Sequence, residues 1–383
     1  MTTLNTSPLS REKLNSDYVL LIGITAMLCS LGMAMVISAS SVVSTRMTGN
    51  AWALSFKQFA ALMIGLAFAF YLARVSLNQL KRLSIVYGVI VFVSLGAVLV
   101  IGNSVGGQKN WIDIAGRFNY QPSEFAKLAL VLFGAWVFAS GQSRDWTNKQ
   151  NNILLGIVSI LIIGLVLLEG DLGTPIILGG ITLAIFYAHG ARKRWLAAIS
   201  ATGALGIVVY AFTGPSYRLE RFLAWLSPES YPSGLGWQFL QGQYSLASGG
   251  IFGKGIGQST GKWGSLPAAH TDFILSVVGE ELGIFGTVIT LLLLIAFVFT
   301  ALSIAFHSSD DFSRMAAFGI AGWFLVQTFI NVGAIVQLVP ITGVPLPFIS
   351  YGGSSLIASL FSVGVLASLA RNNAQVKRTR SRD

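Results

Sequence analysis

The chain has 383 residues, of which 54% are hydrophobic and only 10% charged, with a mean hydropathy of +0.70. A soluble domain carries about one charged residue in four, so a chain this apolar cannot cover its surface in water, and lipid must be the solvent for much of it. The net charge of +10 does not signal nucleic acid, because the basic residues are distributed by topology rather than gathered on one patch.

Residues 1–17 are polar. The first apolar run, Tyr18 to Ala39, is too long for a cleaved signal and reads as a signal-anchor. A spanning helix needs about 20 mostly apolar residues, and runs that fit lie near 18–39, 53–73, 83–101, 123–139, 152–168, 172–188, 195–212, 273–304, 315–338 and 354–370. The fold class is therefore all-α, a polytopic membrane protein of about ten transmembrane helices. The tight turn at Glu169-Gly-Asp-Leu-Gly predicts that its two flanking helices are antiparallel neighbours.

With the N-terminus inside, the inner segments are 1–17, 74–82, 140–151, 189–194, 305–314 and 371–383. They hold 16 of the 25 Lys and Arg residues but only 6 of the 15 acids. The whole positive excess lies on one side, which places both termini in the cytoplasm by the positive-inside rule. The expected organisation is a cytoplasmic tail over 1–17, a transmembrane domain over 18–371 and a flexible basic tail over 372–383, close to anionic lipid.

Two outer segments are more than connectors. Residues 102–122 read as a loop rich in Gly, Asn and Trp. Residues 213–271 form a long outer segment of the kind that usually carries function. It bears Tyr217, Arg218, Arg221, Trp225, Tyr231, Trp237, Lys254, Lys262 and Trp263, and its stretch Leu219–Leu226 has the pattern of a short interfacial helix. The run from Gly249 to Gly257 lacks the Gly-Lys-Ser/Thr ending of a phosphate loop and reads as an irregular turn. No strong internal repeat is evident, which counts against the common transporter plans.

One cysteine, Cys29, allows no intrachain disulfide, and three histidines support no His-rich metal centre. The informative residues are ionisable groups near the outer helix ends, where charge is costly beside hydrocarbon. In Arg117-Phe-Asn-Tyr-Gln-Pro-Ser-Glu124-Phe-Ala-Lys127, Pro122 suits a first helical turn, and Glu124 is favoured there by the helix dipole. Glu124 and Lys127 can be a plain i, i+3 pair, but Lys127 already lies inside the apolar run. In Glu169-Gly-Asp171, two acids either bind a cation or face water. In His270-Thr-Asp272, the aspartate either caps a helix or is an acid held at the membrane surface. Glu280 and Glu281 follow at angles that keep them out of one compact cluster with Asp272, so they are expected to make buried structural bonds. The uncharged segment 338–355 holds three of the ten prolines. It breaks any helix and can wall a groove.

Together these motifs resemble one family. Gln121-Pro-Ser-Glu124, Asp171-Leu-Gly-Thr174, Ala269-His-Thr-Asp-Phe-Ile274, Gly279-Glu-Glu-Leu-Gly283 and Pro345-Leu-Pro-Phe-Ile-Ser-Tyr-Gly-Gly-Ser354 occur in the order found in the shape, elongation, division and sporulation (SEDS) family. The resemblance covers residues 18–371 and is strongest to the cell-division branch. It implies a peptidoglycan glycosyltransferase that polymerises lipid II at the outer face of the membrane during septal wall synthesis. It places the catalytic aspartate at Asp272. Candidate substrate-binding residues are Arg117, Lys127, His270, Arg218, Arg221 and Ser350, and Glu124 is the candidate ligand of a divalent cation, Mg2+ or Mn2+. The implied partners are a single-span class B penicillin-binding protein and other division proteins, with no nucleic acid. One departure stands out: Gly170 precedes Asp171 where the family usually has proline, which leaves that turn less rigid. Under the competing readings the chain is a lipid II flippase, which would hold charge near the bilayer midplane, or a non-catalytic division scaffold.

Overall fold

The computed structural model describes residues 8–105, 108–114, 118–141, 148–213 and 216–380. Each expected span coincides with a helix: α1 (Pro8–Thr48), α2 (Ala53–Arg74), α3 (Leu77–Ile101), α4 (Pro122–Gly141), α5 (Asn148–Leu168), α6 (Gly173–Ala188) and α7 (Lys193–Thr213). Two shorter helices, α8 (Ser216–Leu226) and α9 (Leu235–Ser248), precede α10 (Ile274–His307), α11 (Asp311–Ile335) and α12 (Gly353–Arg380). Among the described residues, eight helices are long and apolar enough to cross a membrane, and α6 is a shorter apolar helix of 16 residues. The chain is a multi-pass membrane protein.

The structure corrects three expectations. The 102–122 segment is not plain loop. It carries β1 (Asn103–Val105), β2 (Gln108–Ile114) and β3 (Phe118–Tyr120) in an antiparallel sheet of that order. Helix α1 begins before the apolar run, because Lys13 pairs with Asp17 four residues on and the Asp17 carboxylate accepts from Ser303 of α10. The basic tail is not separate from the last helix, since α12 runs without a break to Arg380.

The centre of the bundle is α4, α11 and α12. In their apolar windows 78%, 67% and 83% of residues are buried, against 22% in α3, so these three face protein rather than lipid. Small residues let the helices meet, as is general where lipid supplies no hydrophobic drive. A Cβ on Gly364 of α12 would lie 2.7 Å from the Ala69 carbonyl oxygen of α2. At one end of the bundle the start of α1 meets α10, Ser309 meets Asn373 of α12, and Lys81 binds Asp310 at 2.8 Å. The starts of α4, α6 and α10 gather at the other end with the Pro-rich segment 338–352 and the α8–α9 region.

Helix α10 is interrupted at Gly283, whose φ of +70° suits glycine. The turn after α9 fills this break with backbone hydrogen bonds: Lys254 N–H to the Glu280 carbonyl, Gly255 N–H to Glu281, and Ile284 N–H to Gly250. A Cβ on Gly253 would fall on the Glu281 carbonyl, so no larger residue fits. The two glutamates seal the same junction. The Glu280 carboxylate accepts from Lys254 Nζ (2.7 Å), Ser259 Oγ (2.6 Å) and Thr260 Oγ1 (2.6 Å). Glu281 accepts from Ser38 Oγ of α1 (2.6 Å) and pairs with Lys262 (3.4 Å). These are the buried structural bonds expected from the sequence.

Candidate active site

Asp272 lies in the turn just before α10, half-buried. The turn is tight: Ala268 takes a φ of +54°, and its carbonyl accepts from the Thr271 and Phe273 N–H groups. The Asp272 carbonyl is held from across the bundle by Asn331 Nδ2 of α11 at 2.8 Å, and the same amide reaches the Val344 carbonyl of the Pro-rich segment at 2.8 Å. Thr271 Oγ1 donates to Asp272 Oδ1 at 3.0 Å. Burial pushes the Asp272 carboxyl up to about 6, opposed by that hydroxyl, by its own backbone N–H and by the positive charge of Arg221. Asp272 is therefore an acid that is ionised at neutral pH and ready to take a proton.

Arg221 comes from α8. Its Nη1 is buried and has no hydrogen-bond partner. His270 is neutral because burial lowers its pKa, its Nδ1 also lacks a partner, and its ring lies 5.5 Å from that of Tyr351. The Tyr351 N–H donates to the His270 carbonyl at 2.9 Å. Ser350 is buried. Its Oγ accepts from the Leu346 N–H at 2.8 Å, and its carbonyl accepts from Gln58 of α2 at 3.2 Å. Arg117 lies outside the described residues, as does the side chain of Arg218, whose backbone belongs to α8.

Lys127 is fully buried, inside α4. Its ammonium donates to Glu124 Oε2 at 2.7 Å and to Gln327 Oε1 of α11 at 3.0 Å, and it lies 5.1 Å from the centroid of the Trp323 ring. Gln327 in turn accepts from Trp323 Nε1 at 2.6 Å and donates to the Pro345 carbonyl at 2.8 Å. Lys127 and Glu124 thus form the core of a sealed network that ties α4 and α11 to the Pro-rich segment. Sequence reasoning missed Gln327 and Asn331. Their signal was two amides four residues apart in an apolar span, which places both on one face.

Asp171 stands beside this network. Its carboxylate accepts from the Gly173 and Thr174 N–H groups at 2.8 and 3.1 Å and from Thr174 Oγ1 at 2.6 Å, which opens α6. Burial raises its pKa against these bonds, and the nearby Glu124 adds to the rise. Gly170 has a φ of +85°, which the ring of a proline forbids. The turn is thus built differently from the proline form, yet Asp171 is still held by three hydrogen bonds. Glu169, next to it, is buried with both carboxyl oxygens unpartnered. Burial and the neighbouring Asp171 push it up to about 9, so it carries a proton at neutral pH.

A family model described as "Cell cycle protein", FtsW/RodA/SpoVE, matches residues 19–375. The chain belongs to this family. It is 36% identical over 356 residues to the "Probable peptidoglycan glycosyltransferase FtsW" of Trichlorobacter lovleyi, covering 92% of this chain and 93% of that one. It is 35% identical over 375 residues to the "Stage V sporulation protein E" of Bacillus subtilis, covering 97% and 99%. The fold matches a structure described under "Structural coordination of polymerization and crosslinking by a peptidoglycan synthase complex", with a TM-score of 0.74, 29% identity and coverage of 92% and 97%. It also matches the Thermus thermophilus rod shape determining protein RodA, with a TM-score of 0.68, 26% identity and coverage of 92% and 96%. In this FtsW/RodA/SpoVE chain, Asp272 and Arg221 flank the half-open end of α10, while Glu124, Lys127, Gln327 and Asn331 brace the wall behind it.

Proposed function

We propose that this chain is a peptidoglycan glycosyltransferase that polymerises lipid II, with Asp272 as the general base. The lipid tail stays in the bilayer while the sugar diphosphate meets the end of the bundle that carries Asp272. The carboxylate takes the proton of the attacking sugar hydroxyl, which bonds to the anomeric carbon of the second sugar as lipid diphosphate leaves. A single displacement of this kind needs one base and no covalent nucleophile. The observation that carries the reading is the Asp272 carboxyl, on a partly buried residue at this end of the bundle, within reach of the charge of a guanidinium that has a buried, unpartnered donor.

Arg221 is the cation suited to the developing charge on the diphosphate, because its Nη1 has no protein acceptor. Lys127 is already bound to Glu124 and Gln327, so its part is to hold α4 against α11. His270 and Ser350 position the wall of the sugar site through the backbone of the Pro-rich segment. A divalent cation has no built cage here. Among the described residues no group of three His, Cys, Asp or Glu can hold a metal, and Glu124 is engaged by Lys127. A cation of this kind would arrive with the substrate phosphates, as Mg2+ commonly does.

The division-type relatives and the synthase complex support a septal role beside a class B penicillin-binding protein that crosslinks the new strands. The basic residues support a topology with both termini in the cytoplasm. Polymerisation of lipid II by wild type and by Asp272→Asn tests the activity and its base together.

A further inference from the structure

Helix α8 carries Arg221, but its main contacts are with α7, α9 and the turn that follows it, and α7 is exposed along most of its length. Neither α7 nor α9 belongs to the central three helices. Among the described residues, the side-chain hydrogen bonds that fasten α8 directly to the end of α11 are those of Gln337, two residues past that helix. The Trp225 indole Nε1 donates to the Gln337 carbonyl at 3.0 Å, and Gln337 Nε2 donates back to the Trp225 carbonyl at 2.8 Å. Gln337 Oε1 accepts from Gln243 Nε2 of α9 at 3.1 Å. To make these bonds Gln337 takes a φ of +62°, which few residues with a side chain adopt. Trp225 lies one helical turn after Arg221, so the two share a face of α8. Asn331, on the same α11, holds the Asp272 carbonyl. Both partners are thus referenced to one helix: Asp272 through Asn331, and Arg221 through Trp225 and Gln337.

We propose that Gln337 is a positioning residue for glycosyl transfer, a latch that clamps α8 to the end of α11 and so holds the Arg221 guanidinium beside Asp272. This rests on the assignment of Asp272 and Arg221 made above. The groups that face Asp272 are few. Arg221 comes from α8, Thr271 and the neutral His270 from its own turn with Tyr351 behind, and the uncharged Asn331 from α11. Among the described residues, of these only Arg221 brings a charge, so a displaced α8 leaves Asp272 harder to ionise.

The test is the pH dependence of kcat/KM for lipid II polymerisation by the full-length chain. It compares wild type, Arg221→Gln, Gln337→Gly and the double variant. Glycine accepts the positive φ, so Gln337→Gly removes the two side-chain bonds of the latch, to the Trp225 carbonyl and from Gln243, without backbone strain, and leaves only the Trp225 indole bonded to the main-chain carbonyl. Gln337→Asn, which also tolerates that φ but is too short to reach, is the second variant, should the glycine variant fold poorly. Arg221→Gln is expected to move the acid limb up by about one pH unit, as loss of a nearby opposite charge does. Gln337→Gly is expected to move it in the same direction by at least half as much. The double variant is expected to match Arg221→Gln, and Trp225→Phe to fall between wild type and Gln337→Gly. If Arg221→Gln moves the limb while both Gln337 variants leave it in place, the latch is refuted and the site assignment stands. If Arg221→Gln leaves the limb in place, the site assignment fails, and the latch falls with it.

Discussion

Replacing Lys127 by methionine keeps an unbranched side chain one atom shorter and removes its charge in a fully buried part of the bundle. Three interactions are lost: the ion pair to Glu124 at 2.7 Å, the hydrogen bond to Gln327 at 3.0 Å and the cation–π contact with Trp323 at 5.1 Å. The larger effect is what remains. Glu124 is left as a buried carboxylate with Asp171 nearby and no counterion, and breaking a buried pair from one side costs about 3–5 kcal/mol. Gln327 is not orphaned, because the Trp323 indole still donates to its Oε1. Neutralising the stranded acid should therefore recover most of the loss. Lys127→Met with Glu124→Gln is expected to lie within about 1–2 kcal/mol of wild type, since well-packed neutral replacements of buried pairs are often tolerated. A double-mutant cycle on thermal unfolding in detergent micelles measures the coupling. If Lys127→Met costs the same with Glu124 or Gln at position 124, the pair is not the centre of the network.

Three further outcomes follow from other parts of the structure. Gly253→Ala puts a Cβ on the Glu281 carbonyl at a φ of +80° and should cost about 3 kcal/mol. Limited proteolysis would then cut the turn after α9 much faster than in wild type, and an unchanged cleavage rate would show that this turn is not seated on the α10 break. Glu169 holds its proton up to about pH 9 in the folded chain, against a usual value of 4.5. Its contribution to stability is therefore full below about pH 4.5 and falls as pH rises toward 9, reaching a loss of up to about 3 kcal/mol at pH 7. Glu169→Gln should flatten the Tm-versus-pH curve over that window, and an equally steep curve would count against a protonated Glu169. For catalysis, the Asp272 value of about 6 predicts an acid limb near pH 6 in kcat/KM, and a limb near pH 4 would show an ordinary exposed carboxylate.

Much of the bundle was legible in the sequence, because lipid imposes a length and a polarity that single residues cannot override. The stretch Leu219–Leu226 was also legible as a short helix, which α8 contains. The sheet of β1, β2 and β3 was not, since its strands are short. It is held from outside, where the Lys109 N–H donates to the Glu169 carbonyl at 2.8 Å and Lys109 Nζ caps α3 at the Leu99 carbonyl. Helix α9 was hidden by its glycines and by lying between irregular turns. The site was partly legible: Asp272, Glu124 and Lys127 drew notice as charges where charge is costly. What the sequence could not give was their pairing across helices. Nothing in the spacing of Lys127 and Gln327 announces a contact 200 residues away. The roles of Trp225 and Gln337 likewise exist only once α8 has been folded back onto α11.

The central claim is that Asp272 takes a proton in glycosyl transfer, and the most direct measurement is polymer formation from purified lipid II by wild type and Asp272→Asn. The substitution keeps the shape of the side chain and lets Asn331 still hold the backbone carbonyl, so both proteins should show the same melting profile. The account predicts glycan polymer from wild type and at least a hundredfold less from the variant, in line with loss of a general base. Polymer from Asp272→Asn at the wild-type rate would contradict it and leave Asp272 as no more than part of a turn before α10.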